Sequence, residues 1–197
     1  MCHTAAVTVD TLQHQPQLIV RQRVRMMVNQ YEIHAVAPDG SEAGMLAMAQ
    51  QKRMAFKEEV TFYSDESKAR PVFSFKARKA IDVNAGYDIF DEGGQQIGFF
   101  RKDFGKSLLR STFHVEGPGY VGTGQERSQG VALVRRFTDI PFLPVHFDFV
   151  TPEGQALLGV ERQGSVRDRY TVHVPDPRVD FRVAAAIAVG LDALMQR

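Results

Sequence analysis

The fold of this chain is decided by residues 176–194, DPRVDFRVAAAIAVGLDAL. Asp176 followed by Pro177 is typical of a helix N-cap and first helical residue, which predicts a helix over about residues 177–195. Between Arg182 and Asp192 every residue is apolar or glycine, so this helix has no polar face. A helix that is apolar on all sides must be buried on all sides, and this one is too short to cross a bilayer. Protein must therefore surround it.

The rest of the chain predicts short strands. Val20, Val24 and Val28 alternate with arginines, which is the period-two pattern of a strand with one wet face. Residues 42–59 predict a strand that runs into a short helical segment. Gly, Pro, Asn or Asp residues separate most of the later strand segments, as expected for antiparallel pairing. These segments cover residues 31–37, 60–64, 72–79, 87–91, 96–101, 107–115, 120–125, 146–150, 156–161 and 169–174.

A single helix in such a chain is buried on every side only if the sheet closes around it. The alanines and Gly190 suit a narrow interior, because larger side chains would overpack it. We therefore predict a mainly β protein, a closed antiparallel β-barrel that encloses a hydrophobic C-terminal helix. Residues 1–17 are predicted to form a flexible tail, and residues 18–197 a single domain.

Charge and cysteine content exclude several classes of protein. Lys and Arg total 24 and Asp and Glu total 23, so the net charge of +1 argues against nucleic-acid binding. The single cysteine, Cys2, excludes an intrachain disulfide, and nothing supports its acylation. Residues 1–10 lack the basic and apolar regions of a signal peptide. These features predict a cytoplasmic protein without a transmembrane segment.

The order of several segments resembles the LURP-one-related family of the Tubby C-terminal-like superfamily, whose relatives include the phospholipid scramblases. The segments that carry the resemblance are YDIFD at 87–91, IGFFRK at 97–102, the strand at 107–115 and the terminal helix. The resemblance covers residues 18–196 and implies about twelve strands around a central helix. It implies no single activity: Tubby domains bind phosphoinositide head groups, whereas scramblases are linked to lipid movement and calcium.

The same resemblance implies a binding site. The Tubby pattern Gly-Lys-Leu-Arg-Ser-Asn-Phe falls on residues 98–104, so Arg101 matches the arginine that meets the lipid phosphate. Phe99 replaces the lysine of that pattern, which removes one cation. The predicted ligand-binding residues for an anionic head group are Arg101, Lys102, Lys106 and Arg110. The alternative interpretation is that these cations belong to a solvated strand face and bind no ligand.

Other motifs predict no chemistry. Residues 117–122, GPGYVG, fit the dinucleotide fingerprint but lack the βαβ unit, so a hairpin turn explains them better. The two carboxylates in residues 172–180 are too few for calcium, and Asp176 is explained as an N-cap. We expect no metal, no cofactor and no catalytic residues, hence no enzyme. Four strand histidines lack the spacing of a metal site: His34, His114, His146 and His173.

Two functions remain open at this stage. The first is a non-enzymatic module that binds anionic, phosphoinositide-like lipid head groups and so associates with a membrane surface. The alternative is a protein-interaction or structural domain with no lipid ligand. The aromatic and proline-rich residues 137–149 fit either function, or they close one end of the barrel.

Overall fold

The computed structural model describes residues 13–25, 28–52, 59–78, 86–103, 111–127, 145–163 and 169–195. Cys2, Lys106 and Arg110 lie outside the described residues, as do residues 53–58 of the segment 42–59 that was predicted to run from a strand into a short helix, and residues 137–144.

Within the described residues, twelve antiparallel strands form one closed barrel, which confirms the predicted fold class. Each strand pairs with the next along the chain, and the first pairs with the last to close the sheet. The strands are β1 (Gln17–Arg25), β2 (Val28–Val36), β3 (Glu42–Lys52), β4 (Glu59–Tyr63), β5 (Pro71–Ala77), β6 (Tyr87–Asp91), β7 (Gln96–Asp103), β8 (Thr112–Gly117), β9 (Tyr120–Glu126), β10 (Val145–Val150), β11 (Ala156–Gln163) and β12 (Arg169–His173).

The hairpin between β8 and β9 explains the glycines of residues 117–122. Gly119 has a φ of +76°, which favours glycine, and Gly117 pairs with Tyr120 across the turn. Gly122 faces the interior, where a Cβ atom would lie 2.3 Å from the Leu157 side chain. The residues that fit the dinucleotide fingerprint therefore form a tight turn and a close packing contact.

The helix α1 (Phe181–Met195) runs through the barrel. Every described side chain from Val183 to Leu191 is buried, which confirms that the apolar helix is enclosed. The interior is narrow: a Cβ atom at Gly190 would lie 2.5 Å from the Phe100 ring. Among the described residues, no helix has the length and apolar character needed to span a membrane.

The helix begins at Phe181, four residues later than the sequence predicts. Its N-cap is Asp180, whose Oδ1 accepts a hydrogen bond from the Arg182 N–H at 2.8 Å. Asp176 instead accepts from the Arg178 N–H at 2.9 Å within a turn that precedes the helix. The pattern Asp-x-Arg occurs twice in succession, and Pro177 suits a turn as well as a first helical turn. The sequence pattern therefore did not distinguish the two aspartates.

The segment just before β1 contacts the start of the helix. Gln13 donates its N–H to Asp180 Oδ2 at 3.0 Å and accepts from the Phe181 N–H at 2.8 Å. Val174 donates to the Pro16 carbonyl at 2.8 Å, and β1 already begins at Gln17. Gln13 and Pro16 are therefore hydrogen-bonded to residues around the N-terminal end of the helix, whereas residues 1–12 lie outside the described residues.

Candidate anion-binding site

The strand β7 has two faces with different surroundings. Gly98 and Phe100 face the helix, since a Cβ atom at Gly98 would lie 2.9 Å from Val183 and the Phe100 ring lies against Gly190. Phe99 faces outward and carries the Arg78 guanidinium 3.9 Å above its ring. Because side chains alternate along a strand, Lys102 belongs to the inner face and Arg101 to the outer face.

The Lys102 side chain is hydrogen-bonded to the C-terminal end of the helix. Its Nζ donates a hydrogen bond to the Leu194 carbonyl at 3.2 Å and lies 6.0 Å from the centre of the Phe113 ring. Burial lowers the pKa of Lys102. A cation at this position stabilises the negative end of the helix dipole. The structure therefore separates Lys102 from Arg101, and the predicted group of four cations does not share one face.

Arg101 lies in a row of outward-facing side chains across three strands. It pairs with His114 on β8, and His114 pairs with Thr123 on β9. Directly opposite residues in antiparallel strands have Cβ atoms about 4.5–5.5 Å apart. All three side chains are half-buried, so the row forms a shallow polar surface on the outside of the barrel.

His114 is hydrogen-bonded at both ring nitrogens. Its Nε2 lies 3.1 Å from Asp103 Oδ2, and its Nδ1 lies 3.4 Å from Thr123 Oγ1. The side chains of His114 and Asp103 are 22% and 19% exposed. Because a carboxylate only accepts, Nε2 carries a proton toward Asp103. In the neutral ring Nδ1 then accepts, and the Thr123 hydroxyl donates to it.

Arg101 differs from its neighbours in having no carboxylate partner. Arg78 donates to Asp88 at 2.8 Å, and Arg127 donates to Asp148 at 2.6 Å. Within the part of the chain that the structure describes, the Arg101 guanidinium forms no hydrogen bond or ion pair. Asp103 lies on the same face but is bonded to His114. The Arg101 guanidinium is therefore available to an external anion.

Two other strand histidines, His34 and His146, lie beside carboxylates of the same chain. His34 lies between Glu32 and Glu42, at 3.5 and 3.2 Å, and His146 lies 3.7 Å from Glu161. Among the described residues, no group of three or more His, Cys, Asp or Glu side chains is arranged to hold a metal.

The two carboxylates that precede the helix also have partners within the chain. Asp176 Oδ2 accepts from Arg178 at 2.6 Å, and Asp180 Oδ2 accepts from Arg182 at 2.8 Å. Arg182 also donates to Glu92 at 2.7 Å. This charged cluster therefore fixes the N-terminal end of the helix rather than offering ligands to calcium.

The sequence analysis proposed Arg101 as a site residue but not His114 and Thr123, which lie in the same row. The turn at residues 118–119 fixes the pairing of His114 with Thr123, so that contact was within reach of the sequence. The pairing of Arg101 with His114 was not, because residues 104–110 between the two strands leave the register open.

Comparison with known proteins identifies the family. The model described as LURP-one-related matches residues 45–192, which include β7, β8, β9 and most of the core helix. The chain belongs to the LURP-one-related family. The LURP-one-related match thus covers the candidate site, and it confirms the resemblance seen in the sequence.

Two further comparisons add little to this assignment. A search of the curated proteins finds no match. Among solved structures, the chain is similar to a porin-like protein from Bacteroides uniformis, with 7% identity and a TM-score of 0.24. That similarity covers 82% of this chain and 96% of the other. Identity and TM-score are too low for it to carry an argument about fold or function.

Proposed function

We propose that this LURP-one-related chain is a non-enzymatic binding module that holds one phosphate-bearing group, such as a phospholipid head group, at Arg101. The observation that carries the proposal is the half-buried guanidinium without a partner among the described residues. A planar guanidinium binds phosphate oxygens in a bidentate way, which favours a defined anionic group over a diffuse negative surface.

The charges around Arg101 support a localised ligand. Among the described residues, Arg78 is neutralised by Asp88 and Arg127 by Asp148, and the whole chain carries a net charge of only +1. Adsorption to an anionic membrane through diffuse attraction needs several free cations close together. Binding here would instead depend on contacts at one position, so it should discriminate between phosphate groups and other anionic lipids.

The non-enzymatic part of the proposal rests on the geometry around Thr123. Thr123, His114 and Asp103 follow the order of nucleophile, base and orienting acid. However, the Thr123 Oγ1 to Nδ1 distance of 3.4 Å is long for proton transfer. Since β8 and β9 pair on both sides, their N–H groups are used in the sheet ladder and supply no oxyanion donors. The three residues therefore suit ligand binding better than acyl transfer.

Vesicle flotation tests the proposal. Phosphatidylcholine vesicles that contain a phosphoinositide are compared with vesicles that carry the same surface charge as phosphatidylserine. Arg101→Ala should weaken binding to the phosphoinositide about tenfold or more, since it removes charge-assisted hydrogen bonds of about 1.5–3 kcal/mol. Arg78→Ala is the matched control, because it removes the same charge from the same face at a paired position. Equal losses in both variants would contradict a site at Arg101.

A second candidate is a protein-interaction domain, which two exposed valines favour. Val150 lies opposite Thr123, and Val121 lies two residues before it on the same face. They are 38% and 52% exposed, which makes them unusual among the large apolar residues of the described chain. A wild-type protein that binds no anionic vesicle, but loses a co-purifying protein on Val121→Asp, would favour this candidate.

A further inference from the structure

We propose that protonation of His114 converts Thr123 into a second donor to the anion held by Arg101, so that the site binds more tightly as pH falls. This inference rests on the proposed function and concerns how the same site recognises its ligand. Arg101 and Thr123 would contact the anion, whereas His114 and Asp103 are positioning residues that act through the Thr123 hydroxyl.

When the His114 ring is neutral, the Thr123 hydroxyl donates its hydrogen bond to that ring. Asp103 accepts from Nε2–H at 3.1 Å, so Nδ1 is the acceptor nitrogen of the ring, 3.4 Å from Thr123 Oγ1. The single hydroxyl proton of Thr123 then points at the ring. In this state Arg101 is the only donor of the row that faces outward without an internal partner among the described residues.

Proton uptake reverses this hydrogen bond. The imidazolium ring donates from both nitrogens, so Nδ1–H now donates to a lone pair of Thr123 Oγ1 while Nε2–H still donates to Asp103. The hydroxyl proton must then turn away from the ring, which lies between Thr123 and Arg101 in the register, and becomes available to an acceptor oxygen on the outer face. One proton taken from solvent thus adds a positive charge beneath the ligand and frees one O–H donor.

The charges that face His114 make this proton uptake depend on the ligand. Arg101 lies opposite His114 in the register, and Asp103 and the exposed Glu116 lie on the same outer face. An anion at Arg101 neutralises the guanidinium and so favours the imidazolium, and by linkage protonation must favour the anion equally. The side chains that flank His114 on the outer face of the three strands are Phe99, Arg101, Asp103, Thr112, Glu116, Val121, Thr123 and Gln125, and the Arg78 guanidinium lies over the Phe99 ring.

The chemical class that fits is a tetrahedral oxyanion, in particular a phosphomonoester. A phosphate has enough oxygens to accept from the planar Arg101 guanidinium and also from a hydroxyl two strands away. A carboxylate has only two oxygens, and both would accept from Arg101. A lipid and a free phosphate compound both carry these oxygens, so either can present the group.

Binding across about pH 5–8, the range in which histidine changes charge, tests the inference. The probes are phosphatidylcholine vesicles with phosphatidic acid and, separately, inorganic phosphate in solution. Relative to His114→Gln, binding of the wild type should strengthen about three- to tenfold toward the acidic end, the gain expected from one added hydrogen bond. Binding to both probes indicates recognition of the phosphate itself, and binding to vesicles alone indicates a lipid head group.

Three variants separate the proton switch from a structural role. Relative to the wild type, the affinity of His114→Gln should fall progressively from the alkaline to the acidic end, and so should that of Thr123→Val. Thr123→Ser keeps the hydroxyl and should restore the gain. The ligand titrates identically in every variant, so its own pH dependence cancels in the ratio to wild type. Melting curves of the variants establish that each one is folded.

Calorimetry gives a second readout that folding defects would not imitate. Phosphatidic acid titrations in two buffers of different ionisation enthalpy report the protons exchanged on binding, and the wild type should take up more protons than His114→Gln. A His114→Gln variant with the wild-type pH profile would overturn the inference while leaving the proposed function intact. A wild type that binds neither probe, or an Arg101→Ala variant that binds normally, would overturn both.

Discussion

Arg101 and Lys102 are adjacent cations of one strand, and the structure gives them opposite surroundings. Lys102 enters the barrel and donates to the last turn of the core helix, whereas Arg101 faces outward without a partner among the described residues. Adjacent charged residues of a strand therefore do not form a cluster, because side chains alternate between the two faces of the sheet. The inner face of β7 serves stability, and its outer face is the one available for a ligand.

Substitutions in the core helix should have the largest effect on folding. Ile187→Asp or Ala185→Arg places an unpaired charge on a fully buried side chain, so neither variant should fold. The measurement is soluble yield together with a cooperative thermal transition. Val121→Lys is the control, because it places a charge on an exposed strand position of the outer face and should melt like the wild type. A cooperative transition in either helix variant would show that the helix is not enclosed.

The next largest effect is expected at the N-terminal end of the helix. Asp180→Ala removes both the N-cap and the partner of Arg182, whose side chain is only 3% exposed. Leaving that guanidinium buried and less well paired should lower the free energy of unfolding by about 3–5 kcal/mol in a urea titration.

The repeated Asp-x-Arg pattern supplies the matched control. Asp176→Ala leaves Arg178 unpaired, but the Arg178 side chain is 45% exposed and water can solvate it. Its cost should therefore be clearly smaller, close to that of a surface pair. Equal costs for the two aspartates would mean that the burial of Arg182 does not matter.

Much of the fold could be predicted because the decisive signals are local. The unbroken apolar run of residues 183–191 requires enclosure, and turns such as residues 117–120 define antiparallel hairpins without knowledge of the rest of the chain. The start of the helix was predicted less well, since Asp176 and Asp180 offer the same capping chemistry and only packing against Gln13 distinguishes them.

The site was predicted only in part because it depends on register. Arg101 was found through a family pattern, but its relation to His114 depends on which residues of β7 and β8 pair. A shift of one residue would move Arg101 inside the barrel and Lys102 outside. Sequence adjacency suggested one basic cluster, whereas the pairing assembles a guanidinium, an imidazole and a hydroxyl from three strands.

Lys102 offers a smaller effect that tests its burial directly. Burial holds the pKa of Lys102 below the ordinary lysine value of 10.5, so the unfolded chain binds more protons just below that pH. The stability of the wild type relative to Lys102→Met should therefore rise as pH increases through this window toward 10.5. Lys102→Arg remains charged throughout and should show no such rise. Urea titrations at several alkaline pH values measure the difference, and a flat curve for wild type against Lys102→Met would place Lys102 in solvent.

The smallest expected effect on stability belongs to Arg101. Arg101→Gln removes a side chain that contributes no hydrogen bond or ion pair within the described residues, so its free energy of unfolding should stay within about 0.5 kcal/mol of the wild type. If Arg101 binds phosphate as proposed, the same substitution should nevertheless weaken binding to vesicles that contain a phosphoinositide, because it removes charge-assisted hydrogen bonds to the ligand. A large loss of stability would mean that Arg101 supports the barrel as Lys102 does, and the contrast between the two faces of β7 would then disappear. Unchanged stability with reduced binding would establish that contrast at two adjacent residues.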